Sequence, residues 1–292
     1  MITRRVALQR MLAVAAAAGL RPAAAASNLP AEVGPEGYRL PAGYRLAWRD
    51  EFNSAGRPDP RNWGYEHGFV RNEEFQWYQP QNAFCAGGKL IIESRRETVP
   101  NPNYRPGSQD WRFSRRHAQY TSASLTTRGL HHWRYGYFVM RGRIDPRPGI
   151  WPAWWTLGIS LPWPACGEID IMEYYAGHVN ANVAWQKAGG AADWVTTFKP
   201  IADFHDPHWP RAFHLWAMEW TPAFIHLYLD GALMTAVDLS RTLDPRYNGF
   251  NPFHQPAFML LNQAIGGQSG GNPAHTRFPS RFEVDYVRVY QR

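Results

Sequence analysis

Short runs of apolar residues bounded by turn signals, some of them alternating with polar residues at a period of two, predict strands along this chain. These stretches are residues 89–94, 135–144, 213–220, 225–229 and 284–290. Turn signals such as Asp145-Pro146 and Asp230-Gly231 bound them, and no long helical periodicity follows residue 26. The 24 prolines and 25 glycines also disfavour long helices. The pattern predicts an all-β chain folded as a two-sheet antiparallel β-sandwich or jelly roll.

One of the predicted strands, residues 167–174, carries three carboxylates among apolar side chains. Glu168 and Asp170 are two positions apart, so they share a face of the strand. Glu173 lies five positions after Glu168, an odd offset that would place it on the opposite face. A β-bulge near residues 171–172 adds one residue and restores the parity. We therefore predict a bulge that brings all three carboxylates to one face.

The chemistry of this acidic strand points to acid–base work. Ionised carboxylates are costly in apolar surroundings, and like charges held close favour one protonated and one ionised group. A simpler interpretation is a strand whose acidic face is exposed to solvent. That interpretation does not explain the three tryptophans just upstream, Trp151, Trp154 and Trp155. Sugar rings stack their C–H faces on aromatic side chains. Aromatic walls around an acidic floor therefore indicate a carbohydrate site.

The first 26 residues have the layout of a targeting segment. Arg4 and Arg5 form a twin-arginine pattern, residues 11–20 are apolar, and small residues follow at positions 23–27. The apolar run is shorter than the roughly 20 residues of a membrane span. We expect residues 1–26 to be a twin-arginine signal peptide, cleaved after Ala26. Residues 27–292 would then form one domain, a monomer in the periplasm or outside the cell with no membrane contact.

Charge and cysteine content narrow the choice of partner. The formal net charge is +7, but the signal segment holds four arginines and no acid, so the remainder carries +3. The sequence after the signal segment lacks the strong cluster of basic residues that is typical of nucleic-acid-binding proteins. We therefore expect no nucleic acid to bind. Cys85 and Cys166 are the two cysteines, and the sequence leaves open whether they pair.

Five segments in order along the chain resemble glycoside hydrolase family 16, the laminarinase and β-glucanase group. They are residues 72–78, 120–127, 151–157, 167–173 and 284–291, and the likeness covers nearly the whole chain after the signal. The resemblance implies a β-jelly-roll sandwich with a concave cleft. It also implies endo-hydrolysis of a β-linked polysaccharide with retention of configuration, on a β-1,3- or β-1,3-1,4-glucan.

The resemblance also implies roles for individual residues. Glu168 would be the nucleophile, Glu173 the general acid/base, and Asp170 a helper between them. Substrate contacts would come from Asn72, Trp151 and Trp155. We also expect Trp185 to contact substrate, since it lies near a histidine position of the family.

Catalysis of this kind needs no cofactor, but family members often hold a structural calcium. By the resemblance its ligands would be Glu51, Gly88 and Asp285, and oxygen ligands suit calcium.

Departures from the family pattern leave the exact substrate open. Ser124 stands where many laminarinases carry a substrate-contacting arginine, and Glu73 replaces an asparagine. An agarase, porphyranase or carrageenase on the same fold is the main alternative. A non-catalytic glycan-binding protein is a second alternative, which the presence of both glutamates disfavours.

Overall fold

The computed structural model describes Glu32–Val33 and residues 38–292. The predicted signal segment, residues 1–26, lies outside the described residues. The chain divides into two compact units, Met1–Gly43 and Tyr44–Arg292. In the first unit, β1 (Glu32–Val33) pairs antiparallel with β2 (Arg39–Leu40).

The second unit is built almost entirely from strands, which run in chain order from β3 to β21. Their bounds are β3 Arg45–Asp50, β4 Gly64–Tyr65, β5 Gln76–Tyr78, β6 Ala83–Cys85, β7 Leu90–Ser94, β8 Val99–Pro100, β9 His117–Ala118, β10 Tyr120–Ser122, β11 Ser124–Thr126, β12 Gly136–Arg143, β13 Ile150–Gly158, β14 Glu168–Tyr175, β15 His178–Gln186, β16 Ala192–Pro200, β17 His214–Trp220, β18 Phe224–Leu229, β19 Ala232–Asp238, β20 Ala257–Ile265 and β21 Ser280–Gln291. The α-helices are single turns, α1 at Trp111–Ser114 and α2 at Gly267–Gly270. Short 3₁₀ turns lie at Pro80–Asn82, Ile201–Phe204, Trp209–Arg211, Leu239–Arg241, Pro245–Tyr247 and Pro252–His254.

Two antiparallel sheets contain most of these strands. The first has seven strands in the order β16-β15-β14-β13-β20-β11-β4, and the second has eight, β19-β18-β17-β12-β21-β7-β6 with β3 also on β21. A parallel pair, β5 with β10, and a short antiparallel pair, β8 with β9, lie outside them. The predicted all-β sandwich is confirmed.

The core lies between the two sheets and is rich in tryptophan. Trp154 on β13 and Trp216 and Trp220 on β17 are at most 1% exposed and belong to one hydrophobic cluster. Because side chains alternate along a strand, Trp154 facing the core places Trp151 and Trp155 on the outer face of the seven-stranded sheet. The site is built on that outer face.

Both cysteines are free thiols in the folded chain. Cys85 and Cys166 are buried, and burial raises the pKa of Cys85 to about 11 and that of Cys166 to about 12. The open question of pairing is thereby answered: the two do not form a disulfide here. Among the described residues, no helix has the length and hydrophobicity needed to cross a membrane.

Candidate active site

The acidic strand β14 contains the predicted bulge. Against β15, Asp170 pairs with Asn182 and Glu173 pairs with Asn180, so two residues of β14 oppose one of β15. The same irregularity appears against β13, between Trp154 and Trp155. The strand's apolar residues Ile169, Ile171 and Met172 all lie in the core cluster. The three carboxylates therefore share the outer face.

Asn182 links two of these carboxylates. Its Nδ2 donates to Oδ2 of Asp170 at 3.0 Å and to Oε2 of Glu173 at 2.8 Å. Asp170 and Glu173 are only 3% and 6% exposed. One amide group thus holds the two acids at a fixed relative position, because movement of either carboxyl would break its hydrogen bond to Asn182.

Two tryptophan indoles hold the two glutamates. Trp151 Nε1 donates to Oε1 of Glu173 at 2.7 Å, and Trp163 Nε1 donates to Oε2 of Glu168 at 2.5 Å. Trp151 is buried on β13, whereas Trp163 lies in the loop before β14 and is 46% exposed. Each glutamate therefore accepts a hydrogen bond from an indole of its own.

Gly167 fixes the entry of the chain into β14. It has a φ of +76°, a region that favours glycine, and a Cβ there would lie 2.9 Å from Pro252 Cβ and 3.0 Å from Phe253 Cε1. The close packing of this residue against the 3₁₀ turn sets the position from which Glu168 begins the strand.

A hydrogen-bonded chain connects Trp155 to the segment that holds Asn72. Trp155 Nε1 donates to Asn262 Oδ1 at 2.7 Å, and Asn262 Nδ2 donates to the Tyr78 hydroxyl at 3.0 Å. Tyr78 in turn donates to Oε2 of Glu74, and Asn72 donates to Oε1 of that carboxyl, both at 3.2 Å. Burial raises the pKa of Glu74, against the opposing charge of a neighbouring arginine. The predicted residues Asn72 and Trp155 thus belong to one network.

Arg71 is that arginine, and it lies against Trp155. Its guanidinium carbon is 5.0 Å from the centre of the Trp155 ring, and its Nη2 pairs with Glu66. Burial alone would lower the pKa of Arg71, but Glu66 and Glu74 together raise it. Ser124, where the family pattern expects arginine, donates to Oε2 of Glu66 at 2.6 Å. Arg71 therefore supplies a positive charge close to the position where Ser124 has none.

Trp185 does not lie with the other predicted substrate-contacting residues. It belongs to the core cluster with Val183 and Ala181, and its ring packs edge-on against Phe253 at 6.5 Å. The reason is parity: Asn182 faces outward on β15, so Trp185, three positions later, faces inward. We correct its assignment from substrate contact to core packing.

The two acids predicted to hold calcium, Glu51 and Asp285, pair with arginines. Arg288 donates from Nε to Glu51 Oε1 at 2.8 Å and from Nη2 to Oε2 at 2.9 Å, while Arg141 Nη1 donates to Asp285 Oδ2 at 2.6 Å. Gly88 lies in the turn before β7. Within the described residues, no group of three or more His, Cys, Asp or Glu side chains is placed to hold a metal ion. The arrangement does not fit calcium, because both carboxylates are already neutralised.

Asn182 and Trp163, which hold the three carboxylates, were not predicted. Asn182 could have been found, since the two-residue turn Ala176-Gly177, with φ of +50° and +83°, sets the register of the β14–β15 hairpin. Counting back from that turn, with the bulge, places Asn182 opposite Asp170. Trp163 carries no such signal, because it lies in an irregular loop without periodicity.

Comparison with known proteins agrees with this geometry. The model of Glycosyl hydrolases family 16 matches residues 90–288. A β-glucanase of Rhodothermus marinus is 36% identical over 265 residues, 85% of this chain and 85% of the relative. Because the family model matches more than half of the chain, the protein belongs to glycosyl hydrolase family 16 and is a glycoside hydrolase.

Solved structures show the same fold. The laminarinase catalytic domain of Thermotoga maritima superposes with a TM-score of 0.70 at 32% identity, covering 85% of this chain and 98% of that domain. A structure from the endo-acting O-glycanases that human gut bacteria express to initiate mucin breakdown gives 0.79 at 33% identity, covering 86% and 92%.

Proposed function

We propose that this protein hydrolyses β-1,3- or mixed β-1,3-1,4-glucans within the chain, with retention of configuration. The single observation that carries the mechanism is the bulged strand that places Glu168, Asp170 and Glu173 on one face, each held by a donor. The glucan assignment draws support from the similarity to the β-glucanase and laminarinase already described.

In the first step, an oxygen of Glu168 attacks the anomeric carbon and the glycosidic C–O bond breaks. The departing oxygen takes a proton from Glu173, and a glycosyl ester on Glu168 results. The Trp163 indole holds Oε2 of Glu168 by a hydrogen bond and so orients the carboxylate. A protonated Glu173 can keep both of its contacts, because a hydroxyl oxygen still accepts a hydrogen bond.

In the second step, Glu173 takes a proton from water as the water oxygen attacks the anomeric carbon. The ester bond to Glu168 breaks and the sugar leaves with its original configuration. The Asn182 amide contacts Glu173 directly and Asp170 beside it, and so holds Glu173 in place during both proton transfers.

The experiment is a screen with laminarin, lichenan, agarose, carrageenan and mucin O-glycans, with the anomer of the first product followed by NMR. We expect reducing ends from the glucans and an initial β-anomer. The Glu168→Gln variant should lose roughly thousandfold or more in kcat and still bind glucan. An initial α-anomer, or an active Glu168→Gln variant, would reject the mechanism, and inactivity of the wild-type enzyme on both glucans would reject the substrate.

A second substrate class is favoured by one observation. The O-glycanase structure superposes with the higher TM-score of the two structures compared. Cleavage of mucin O-glycans without glucan cleavage would select this alternative, and cleavage of agarose or carrageenan would select a galactan hydrolase.

Export through the twin-arginine route is also part of the proposal, supported by Arg4 and Arg5 ahead of the apolar run. Replacing both with lysine should leave the enzyme inside the cytoplasm of an expressing bacterium. Continued export of that variant would contradict the proposed route.

A further inference from the structure

The catalytic strand β14 pairs with β15, and β15 pairs with the edge strand β16. The outer face that carries the carboxylates therefore continues across these strands to the edge of the sheet. Across β14, β15 and β16, Glu168 aligns with Ala184 and Trp194, and Glu173 aligns with Asn180 and Phe198. The row between them contains Asp170, Asn182 and Thr196, and β16 is the edge strand of its sheet. The two catalytic glutamates therefore each begin a row that ends at an aromatic residue on the edge.

Aromatic rings line both sides of the middle row. On one side, Trp163 lies 6.5 Å from Trp194 between ring centres, and its indole also contacts Glu168. On the other, Tyr175 lies 6.4 Å from Phe198, which is 52% exposed. Tyr175 also packs edge-on against Trp151, at 5.5 Å, and Trp151 contacts Glu173. Each wall thus runs without interruption from one glutamate to the edge of the sheet.

The edge groove is defined by Trp163 and Trp194 on one wall, Tyr175 and Phe198 on the other, and Asn182 and Thr196 on the floor. Trp194 and Phe198 are four residues apart on one strand, so their Cα atoms are about 13 Å apart. The two rings fill part of this distance, and the rest is the width of the groove. From β14 to β16 is two strand spacings, roughly 10 Å, a length that suits about two sugar rings.

Two buried acceptors in this region have no hydrogen-bond partner within the described part of the chain. They are Oδ1 of Asn182 and Oδ1 of Asn180, and the two residues are 3% and 0% exposed. A buried carbonyl oxygen without a partner is destabilising, so such atoms are usually satisfied by ordered water beneath the surface, and the floor of the groove is polar for this reason.

We propose that the edge groove binds about two neutral sugar units of the substrate chain, on the β16 side of the cleavage point. The inference rests on the proposed function and adds the position of the polysaccharide chain on the enzyme. The rings of Trp163, Trp194 and Phe198 would stack against sugar C–H faces, and the Thr196 hydroxyl on the floor would hydrogen-bond to sugar hydroxyls. The six side chains of the groove carry no charge, so it fits unsubstituted sugars and not sulfated ones.

The test uses Trp194→Ala and Phe198→Ala in the full enzyme, with end-labelled gluco-oligosaccharides of increasing length. For wild type, kcat/KM should rise with length until the groove is filled. Each variant should lose about tenfold in kcat/KM on the long substrates and within twofold on the shortest cleaved one, and should shift the bond that is cleaved. Trp194→Phe should keep most of the wild-type length dependence, because it keeps an aromatic face.

Leu233→Ala is the matched control, since Leu233 is 55% exposed on the edge strand β19 of the other sheet. If Trp194→Ala and Phe198→Ala retain the length dependence and cleavage position of this control, the groove proposal is wrong. If wild-type enzyme cleaves no glucan, the proposed substrate fails, and the same variants are then compared on fragments of the glycan that the screen identifies.

Discussion

The side-chain amide of Asn182 donates to both Asp170 and Glu173, so one donor group holds both acids. Replacing Asn182 with alanine removes the shared donor and leaves two neighbouring acids without it. We expect kcat to fall about tenfold to a hundredfold, since positioned hydrogen bonds at catalytic acids are worth that much. Initial rates on the screened glycan measure the effect. A melting temperature within a few degrees of wild type would show that the loss is not unfolding, and an unchanged kcat would contradict the role.

Trp163 contacts Glu168 through its indole N–H and also presents an exposed ring. Phenylalanine at this position keeps a ring but removes the donor, whereas alanine removes both. We expect Trp163→Phe to lower kcat about tenfold with KM nearly unchanged, and Trp163→Ala to raise KM as well. Steady-state kinetics on one oligosaccharide separate the two effects. Equal kinetics for wild type and Trp163→Phe would show that the hydrogen bond at 2.5 Å does not assist catalysis.

Gly167→Ala tests the close packing before the catalytic strand. The added methyl meets Pro252 and Phe253 near 3 Å, and alanine at a φ of +76° is strained as well. We expect a loss of about 2–4 kcal/mol in the free energy of unfolding, measured by urea denaturation.

Gly177→Ala is the control for this substitution. Its φ is +83°, but a Cβ there meets nothing within 4 Å, so it isolates the backbone strain. We expect it to cost about 1 kcal/mol. Equal losses in the two variants would show that packing against the 3₁₀ turn contributes nothing.

The two thiols should be unreactive in the folded protein. With pKa values of about 11 for Cys85 and about 12 for Cys166, both groups stay protonated at pH 8, and the thiolate forms only as the pH rises toward those values. Ellman's reagent should therefore label no cysteine in native enzyme at pH 8 and two in 8 M urea, the denaturant strength being about that used for full unfolding. Fewer than two thiols in urea would reveal a disulfide, and rapid labelling of the native enzyme would reveal a thiol more accessible than the fold shows.

Removal of divalent cations should not alter stability. The arginines at Glu51 and Asp285 already neutralise these carboxylates, so the melting temperature with and without EDTA should agree within about 1 °C. A fall of several degrees, reversed by added calcium, would show that the arginines give way to the metal.

The carboxylate strand illustrates what sequence could predict. The spacing of Glu168, Asp170 and Glu173 together with strand parity required a bulge, and the structure contains it where it was expected. The prediction succeeded because parity along one strand depends on nothing else in the fold. The all-β sandwich was predictable for a similar reason, since period-two alternation reports local structure directly.

Contacts between distant segments were less accessible to sequence reasoning. Likeness to a family position places Trp185 at the substrate, whereas its parity relative to Asn182 on β15 places it in the core. The loop position of Trp163, and the placement of Arg71 beside Trp155, depend on tertiary packing that no local pattern encodes. The arginine pairs of Glu51 and Asp285 join residues far apart in sequence for the same reason.

The bulge at Ile171 has a consequence for how such a site can change over time. Removing that one residue leaves the order Glu168, Ile169, Asp170, Met172, Glu173, a regular strand in which the three acids again share a face and the apolar residues the other. A single codon deletion would thus convert one form of the catalytic strand into another without passing through a sequence that buries an acid in the core. Insertion and deletion usually destroy the register of a strand, but here the loss of one residue leaves the three acids on a common face.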